Sequence, residues 1–356
     1  WSKSVENRKN SVTNFDGYFD GEGHTITIAS GTTWRTPLFI NVWGTIANLT
    51  IAGEMRNDHA PELGSALVHA LQEGGVLDNC TNRADITYDT VDQETWKNVF
   101  VAGLVALTNK ATVTGCTNYG TLNVTGKAQN LARVGGVAVY ADYETVIAGC
   151  TNYGEIIGST YSFEGNRIAE VGGVVGYAAH DASVTDCYNR AAVFNTGKAK
   201  QVGGVIASAR TDLSGLHNYA PIVQGDDNDS TTVGGVINWI GAGYTLSNST
   251  NNAALTAGKA KEIGGVILTV YGTVRNCTNN GTIYASNRST VVGGVARTVE
   301  SAGVLENCTN TADFLVMSAY LAGVIAKNQG TVTGCTNNGN ISFGATKCRA
   351  AGIAYD

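Results

Sequence analysis

Nine times this chain repeats one short phrase, and seven of the copies carry a cysteine. They are Cys80-Thr81-Asn82, Cys116-Thr117-Asn118, Cys150-Thr151-Asn152, Cys187-Tyr188-Asn189, Leu216-His217-Asn218, Ser249-Thr250-Asn251, Cys277-Thr278-Asn279, Cys308-Thr309-Asn310 and Cys335-Thr336-Asn337. Neighbouring copies lie 27 to 37 residues apart. Gly or Ala follows two positions after every Asn, and an aliphatic or aromatic residue two positions after that. A fixed period of this length means that one supersecondary unit is stacked many times, so repetition decides the fold before any single motif does. It also means that the commonest residues are structural, and that function belongs where the repeats differ.

A second phrase alternates with the first. It begins as Leu63-Gly64-Ser65-Ala66 and Ala102-Gly103-Leu104. It runs through Gly135-Gly136-Val137, Gly172-Gly173-Val174, Gly203-Gly204-Val205, Gly234-Gly235-Val236, Gly264-Gly265-Val266 and Gly293-Gly294-Val295, and ends as Ala322-Gly323-Val324 and Ala351-Gly352-Ile353. Between the phrases lie runs of four to eight residues rich in Val, Ile and Thr, bounded by Gly, Asn or Asp, which is the pattern of short strands. No 3.6-residue apolar period persists. The reading is three strands per unit: a Gly-Gly-Val strand, a second such as Gly330–Gly334, a Cys-Thr-Asn turn, and a third such as Gly281–Ala285. Three short strands per ~30 residues predict an all-β, right-handed parallel β-helix of about eleven rungs, because each rung satisfies its backbone groups on the next and parallel crossovers are right-handed. The predicted layout is an irregular opening over 1–52 and the repeat coil over 53–356 as one continuous solenoid.

Composition agrees. Gly is 45 of 356 residues and Pro only 3, without a three-residue period, which excludes collagen and suits stacked tight turns. Charged residues are 15% and the net charge is −6, so the basic face that nucleic acid requires is missing. No run approaches the ~20 apolar residues of a membrane helix. The first residue is Trp1, and Ala351-Gly352-Ile353 restarts a strand just before the last residue. A solenoid needs caps over its open ends, so the natural polypeptide is expected to continue past Asp356.

The cysteines Cys80, Cys116, Cys150, Cys187, Cys277, Cys308 and Cys335 share one repeat position, where Leu216 and Ser249 also occur. Side chains in one parallel row point the same way, so a buried thiol ladder is expected rather than disulfides. Cys348 falls outside the row. The Asn residues 82, 118, 152, 189, 218, 251, 279, 310 and 337 are expected to stack as an amide ladder, as in cross-β assemblies.

Phe15-Asp16-Gly17-Tyr18-Phe19-Asp20-Gly21-Glu22-Gly23-His24-Thr25-Ile26, followed by Gly44-Thr45-Ile46-Ala47-Asn48-Leu49-Thr50-Ile51, resembles the opening rungs of bacterial surface β-helix proteins of the GLUG-motif type. Val171–Tyr177 followed by Val184–Asn189 looks like one such repeat. The resemblance implies a β-helix exported to the exterior of a Bacteroides-like bacterium, with adhesion or ligand display as its role. Here Cys-Thr-Asn replaces the aromatic-rich turn of that family. In that phylum Asp89-Thr90-Val91 and Asp229-Ser230-Thr231 resemble O-glycosylation sites at Thr90 and Ser230.

Candidate chemistry is sparse. His24, His59, His69, His180 and His217 each stand alone in the sequence, and nucleophile-elbow, zinc-protease and Walker patterns are missing. Asp85 and Glu155 share a repeat position two rungs apart, about 9.6 Å between backbones, near the carboxyl separation of inverting glycosidases. They are the pair a polysaccharide-cleaving enzyme of this fold would use. Asp226, Asp227 and Asp229 concentrate oxygen ligands but lack the EF-hand spacing, so a solvated loop competes with a calcium site. No cofactor is implied. Binding has the better case. The residue after each ladder Asn reads Arg83, Tyr119, Tyr153, Arg190 and Tyr219, then Asn252, Asn280, Thr311 and Asn338. Tyr faces and Arg forks suit sugar stacking and carboxylate or sulfate contacts, although Tyr also stacks along solenoid edges for stability alone. The long segments 53–62, 88–100 and 158–170 fall at one corner of the coil and add Trp96, Tyr161, Phe163 and Arg167. The expected role is a non-catalytic surface protein that binds glycans or glycoproteins at this corner. An enzyme and a passive spacer are the alternatives.

Overall fold

A computed structural model describes residues 11–29, 36–57, 63–89, 98–128, 131–162, 169–195, 200–225, 231–258, 260–285, 291–316, 320–343 and 349–354. Every described element is a β-strand and every pairing between strands is parallel. The strands stack into three sheets of eleven, 28 and ten members. One rung shows the plan. Ala132–Gly135 belongs to the ten-stranded sheet and Ala138–Asp142 to the eleven-stranded sheet. Val146–Ala148, Thr151–Asn152 and Ile156–Ser162 are successive pieces of the 28-stranded sheet. Nine turns show all three faces, from the rung that starts at Leu63–Ser65 to the one that starts at Tyr320–Ala322. This is fewer than the eleven expected. The two opening rungs, with strands Val12–Phe15 and Phe39–Val42, have no partner strand described in the ten-stranded sheet.

The register matches the sequence phrases to each other. Gly135 pairs with Gly172, Gly172 with Gly203, and Asn118 with Asn152. The interior is a single apolar column of residues such as Leu77, Val113, Ile147 and Val184, one per rung at equivalent positions.

Two details differ from the sequence reading. The Gly-Gly-Val phrase is not one strand: its first Gly ends a strand of the ten-stranded sheet and its second begins the corner that leads to the eleven-stranded sheet. A Cβ on Gly135 would lie 1.9 Å from the Ala138 carbonyl oxygen of its own rung. A Cβ on Gly136 would lie 2.2 Å from the Gly173 oxygen of the next rung and 2.5 Å from the Asn152 side chain. The corner thus folds inward onto the amide ladder, and the two recurring phrases meet across the coil. At Ser65, which stands in the place of the first Gly, the hydroxyl donates to the Val68 carbonyl at 2.7 Å, and Ala102 and Ala322 fill the same place in their rungs.

The second difference concerns Cys-Thr-Asn. The turn lies one residue ahead of it. Asn79, Gly115, Gly149, Asp186, Gly215, Asn248, Asn276, Asn307 and Gly334 immediately precede the nine copies, and all have φ between 48° and 64°. Only Gly, Asn and Asp adopt that conformation readily. The Thr-Asn dipeptide that follows is already strand.

Candidate functional site

The ladder Asn side chains are fully buried through Asn310. They form an unbroken chain of eight amide hydrogen bonds in one direction. Asn82 Nδ2 donates to Asn118 Oδ1 at 2.7 Å, Asn118 to Asn152, Asn152 to Asn189 and Asn189 to Asn218. Asn218 continues to Asn251, Asn251 to Asn279, Asn279 to Asn310, and Asn310 to Asn337 at 2.8 Å. Each amide also closes on its own backbone two residues ahead, as when Asn152 Nδ2 donates to the Gly154 carbonyl and Asn152 Oδ1 accepts from the Gly154 N–H. At this rung Gly is favoured, since a Cβ on Gly154 would lie 1.9 Å from the Gly120 oxygen, while other rungs such as the one with Ala191 accommodate Ala at the same place.

Cys80, Cys116, Cys150, Cys187, Cys277 and Cys308 are buried, Cys335 is half-buried, and all are free thiols. They donate weakly to backbone carbonyls, as Cys80 does to Asp78 and Cys308 to Glu306. Burial, and then contact with the Cys150 and Cys80 thiols, holds the Cys116 thiol above its usual range. Its hydrogen bond with Cys277, then burial, pushes Cys308 up to about 12. Hydrogen bonds with the Cys116 thiol hold Cys80 and Cys150 down in turn, so the row alternates, and its complete burial there makes it apolar filling of the core. Leu216 fits the same slot, and Ser249 satisfies its hydroxyl on the Ser247 carbonyl at 2.8 Å. Cys348 lies outside the described residues.

A fixed ladder projects the following residue outward at every rung. Tyr119, Tyr153 and Tyr219 are 43 to 45% exposed. The Arg83 guanidinium lies 4.5 Å above the Tyr119 ring, and Tyr119 stacks on Tyr153 at 5.0 Å and 7°. Arg190 lies 4.7 Å from the Tyr219 ring and 5.7 Å from Tyr188, which stacks on His217. Tyr119 thus lies between Arg83 and Tyr153, while Tyr153 and Tyr219 each carry one stacked ring or guanidinium, so the surface offers edges, hydroxyls and guanidinium N–H groups beside few free faces. After Tyr219 the column turns amide-rich: Asn280 Nδ2 donates to Asn252 Oδ1 at 2.8 Å and Thr311 Oγ1 to Asn280 Oδ1 at 2.6 Å.

Asp85 and Glu155 are exposed beside this column. Asp85 Oδ1 accepts the Thr121 backbone N–H at 2.7 Å, and Asp212 and Asp313 do the same for Thr245 and Asn340. Asp85 thus fills a recurrent structural role. Of the isolated histidines, His180 Nδ1 sits 2.5 Å from Asp142 Oδ1 and stacks on Tyr143, and His217 shares a hydrogen bond with Thr250. Tyr161 lies in the strand Ile156–Ser162. Trp96, Phe163, Arg167, His59, Thr90, Asp226, Asp227, Asp229 and Ser230 lie outside the described residues. Among the described residues no three His, Cys, Asp or Glu side chains gather as metal ligands would, and no helix is long and apolar enough to cross a membrane.

The inward Gly-Gly corner creates a second surface that the sequence reading missed: a groove where residues two before the first Gly face residues four or five after it. Arg133 pairs there with Glu170 of the next rung, which is 2% exposed and accepts from the Ser208 hydroxyl. The Arg133 guanidinium lies 4.5 Å from the Tyr140 ring and 4.1 Å from the Tyr177 ring, and Phe100 meets Tyr140 edge-on at 5.1 Å. Burial raises the Tyr140 and Tyr177 hydroxyls above their usual range. Further along, Trp239 Nε1 donates to Gln201 Oε1 at 3.2 Å, and Arg297 Nη2 meets Glu262 Oε1 at 2.6 Å.

The rung that carries Glu170, the Gly172-Gly173 corner, Tyr177, Cys187 and Asn189 thus contains every recurring part. Residues 169–193 match the family model of the GLUG motif. The match covers one turn of the coil, and the neighbouring turns stack on this GLUG repeat in register through Gly135, Gly203, Asn152 and Asn218. No curated protein matches the chain.

Proposed function

We propose that this GLUG-type solenoid is a non-catalytic ligand-display protein that binds glycans, or the glycan part of glycoproteins, along the Arg83–Tyr219 column. The observation that carries the reading is the column itself: Arg83, Tyr119, Tyr153, Arg190 and Tyr219 held in register on a rigid ladder, exposed, and confined to one half of the coil. Its outward groups are tyrosine hydroxyls and guanidinium donors, with exposed carboxylates at Asp85 and Glu155 beside them. Sugar hydroxyls match such alternating donors and acceptors. Each contact is weak, but a stiff rod presents them without ordering cost and successive sugars add by multivalency. Asp85 being tied to the Thr121 amide favours binding over hydrolysis. In this reading the coil stands on the exterior of a bacterial cell, where such ligands are met.

The test is a glycan and host-glycoprotein array with the purified chain beside a Tyr119→Ala/Tyr153→Ala double variant whose fold is checked by circular dichroism. Selective binding of at least one glycan or glycoprotein that disappears in the folded variant is expected. Binding to nothing overturns the reading and leaves a spacer role, and binding that the variant retains in full overturns the column.

A further inference from the structure

The groove beside the Gly-Gly corners is filled in one stretch and open in another. Its outward column on the eleven-stranded sheet runs Tyr140, Tyr177, Ser208, Trp239, Thr269 and Thr298 in register. Tyr140 and Tyr177 are packed around Arg133, so nothing enters there. At Trp239 the neighbours on both sides are small, Ser208 and Thr269. A pocket of about 630 Å³ results, lined by Trp239, Tyr244, Tyr271, Arg210, Gln201 and Thr269 among others. That volume lies within the usual range of small-molecule sites.

The walls have a definite chemistry. Trp239 is pinned by its bond to Gln201, and Tyr271 meets it edge-on at 6.4 Å and 86°. Arg210 lies over the indole at 5.6 Å. The step from Trp239 to Thr269 replaces a ring with a small side chain in the next rung, beside the pocket. Leu268, 4% exposed, gives an apolar wall below. The side chains of Arg210, Tyr244, Tyr271 and Thr269 hydrogen-bond to no described residue, so hydroxyl and guanidinium donors ring the opening. Preorganised aromatic surface with polar groups at its margin, in a pocket of this volume, fits a flat, hydroxyl-bearing ring within a short chain of such rings.

We infer that this pocket is a carbohydrate site that takes two or three pyranose units of an oligosaccharide, with one ring stacked on Trp239 and hydroxyl or carboxylate substituents met by Arg210, Tyr271 and Thr269. It is separate from the Arg83–Tyr219 column and does not rest on it.

Tryptophan fluorescence and saturation-transfer NMR with maltotriose, cellotriose, triacetylchitotriose and trigalacturonate, each up to about 10 mM, test the inference. At least one probe is expected to bind saturably, with signals from one or two rings in contact. Trp239→Ala should weaken it about tenfold, the usual worth of one aromatic stack. Thr269→Tyr keeps the indole but continues the aromatic column into the empty space, and should abolish binding. Tyr119→Ala/Tyr153→Ala should leave it unchanged. The inference is overturned if none of the four probes binds, if the folded Thr269→Tyr variant binds as well as the parent, or if only the Tyr119/Tyr153 variant loses binding.

Discussion

At the residue scale, two positions per rung hold the coil together for opposite reasons. The ladder Asn holds the stack because an amide such as that of Asn152 uses both N–H groups and its oxygen inside the protein. Asn152→Ala would strand Asn118 Nδ2, Asn189 Oδ1 and the backbone of Gly154. Each unmatched buried group costs about 1–3 kcal/mol, so a loss of about 4 kcal/mol is expected in urea unfolding. A loss under about 1 kcal/mol would mean that the ladder is incidental. The residue before the Cys position is set by conformation instead. Asn276 has φ of 54° and an exposed side chain. Asn276→Gly should change stability by less than about 0.5 kcal/mol, and Asn276→Val should cost about 1–2 kcal/mol, because a β-branched residue does not tolerate that φ. The ladder was legible in the sequence because Asn recurs without exception. The turn is written in the sequence too, as a column restricted to Gly, Asn and Asp, but its three residue types make a weaker repeat than the cysteine beside it.

At the element scale, what the sequence obscured was which strands face each other outside the coil. Arg133, Glu170 and Gln201 stand two residues before a Gly-Gly pair, and Tyr140, Tyr177 and Trp239 five residues after its first Gly. Read as one continuous strand, these sets lie far apart. Folded at the corner, they touch. The Arg133–Glu170 pair is nearly dry, so removing one partner leaves a buried charge. Glu170→Ala should cost about 3 kcal/mol, the Arg133→Met/Glu170→Leu pair markedly less than the sum of the single variants, and a double-mutant cycle measures the difference. The same packing makes the coil sensitive to alkali. Tyr140 and Tyr177 have raised values in the folded state. Above about pH 10 the unfolded chain releases tyrosine protons that the folded chain still holds. The unfolded state then binds fewer protons, so stability falls as pH rises. This contribution is complete below pH ~10 and is lost as pH climbs toward the folded-state values. Urea midpoints between about pH 8 and 11 should fall from about pH 9, where the unfolded chain's thiols ionise while Cys116 and Cys308 hold their protons, and more steeply above about pH 10, the steeper part being smaller in Tyr140→Phe/Tyr177→Phe. An equal fall in that variant would assign the effect elsewhere.

At the scale of the whole molecule, each rung pairs only with the rungs before and after it, so the coil is a one-dimensional stack and damage should spread by distance along the axis. The cysteine row tests this with one chemical change at two places. Cys150 has no exposed surface and lies between the Cys116 and Cys187 rungs. An Asp there carries a charge into the apolar column, with no partner and no route to water. Cys335 is half-buried, and an Asp there reaches solvent. In hydrogen exchange, Cys150→Asp should strip protection from the strands around it, Thr112–Thr114 through Ser183–Asn189, and lower the melting temperature. Cys335→Asp should affect little beyond Thr331–Thr333 and Thr336–Asn337. If both variants instead lose protection evenly along the whole chain, the coil unfolds as a single cooperative block. The column at Arg83–Tyr219 and the pocket at Trp239 would then share one stability, instead of standing on rungs that open independently.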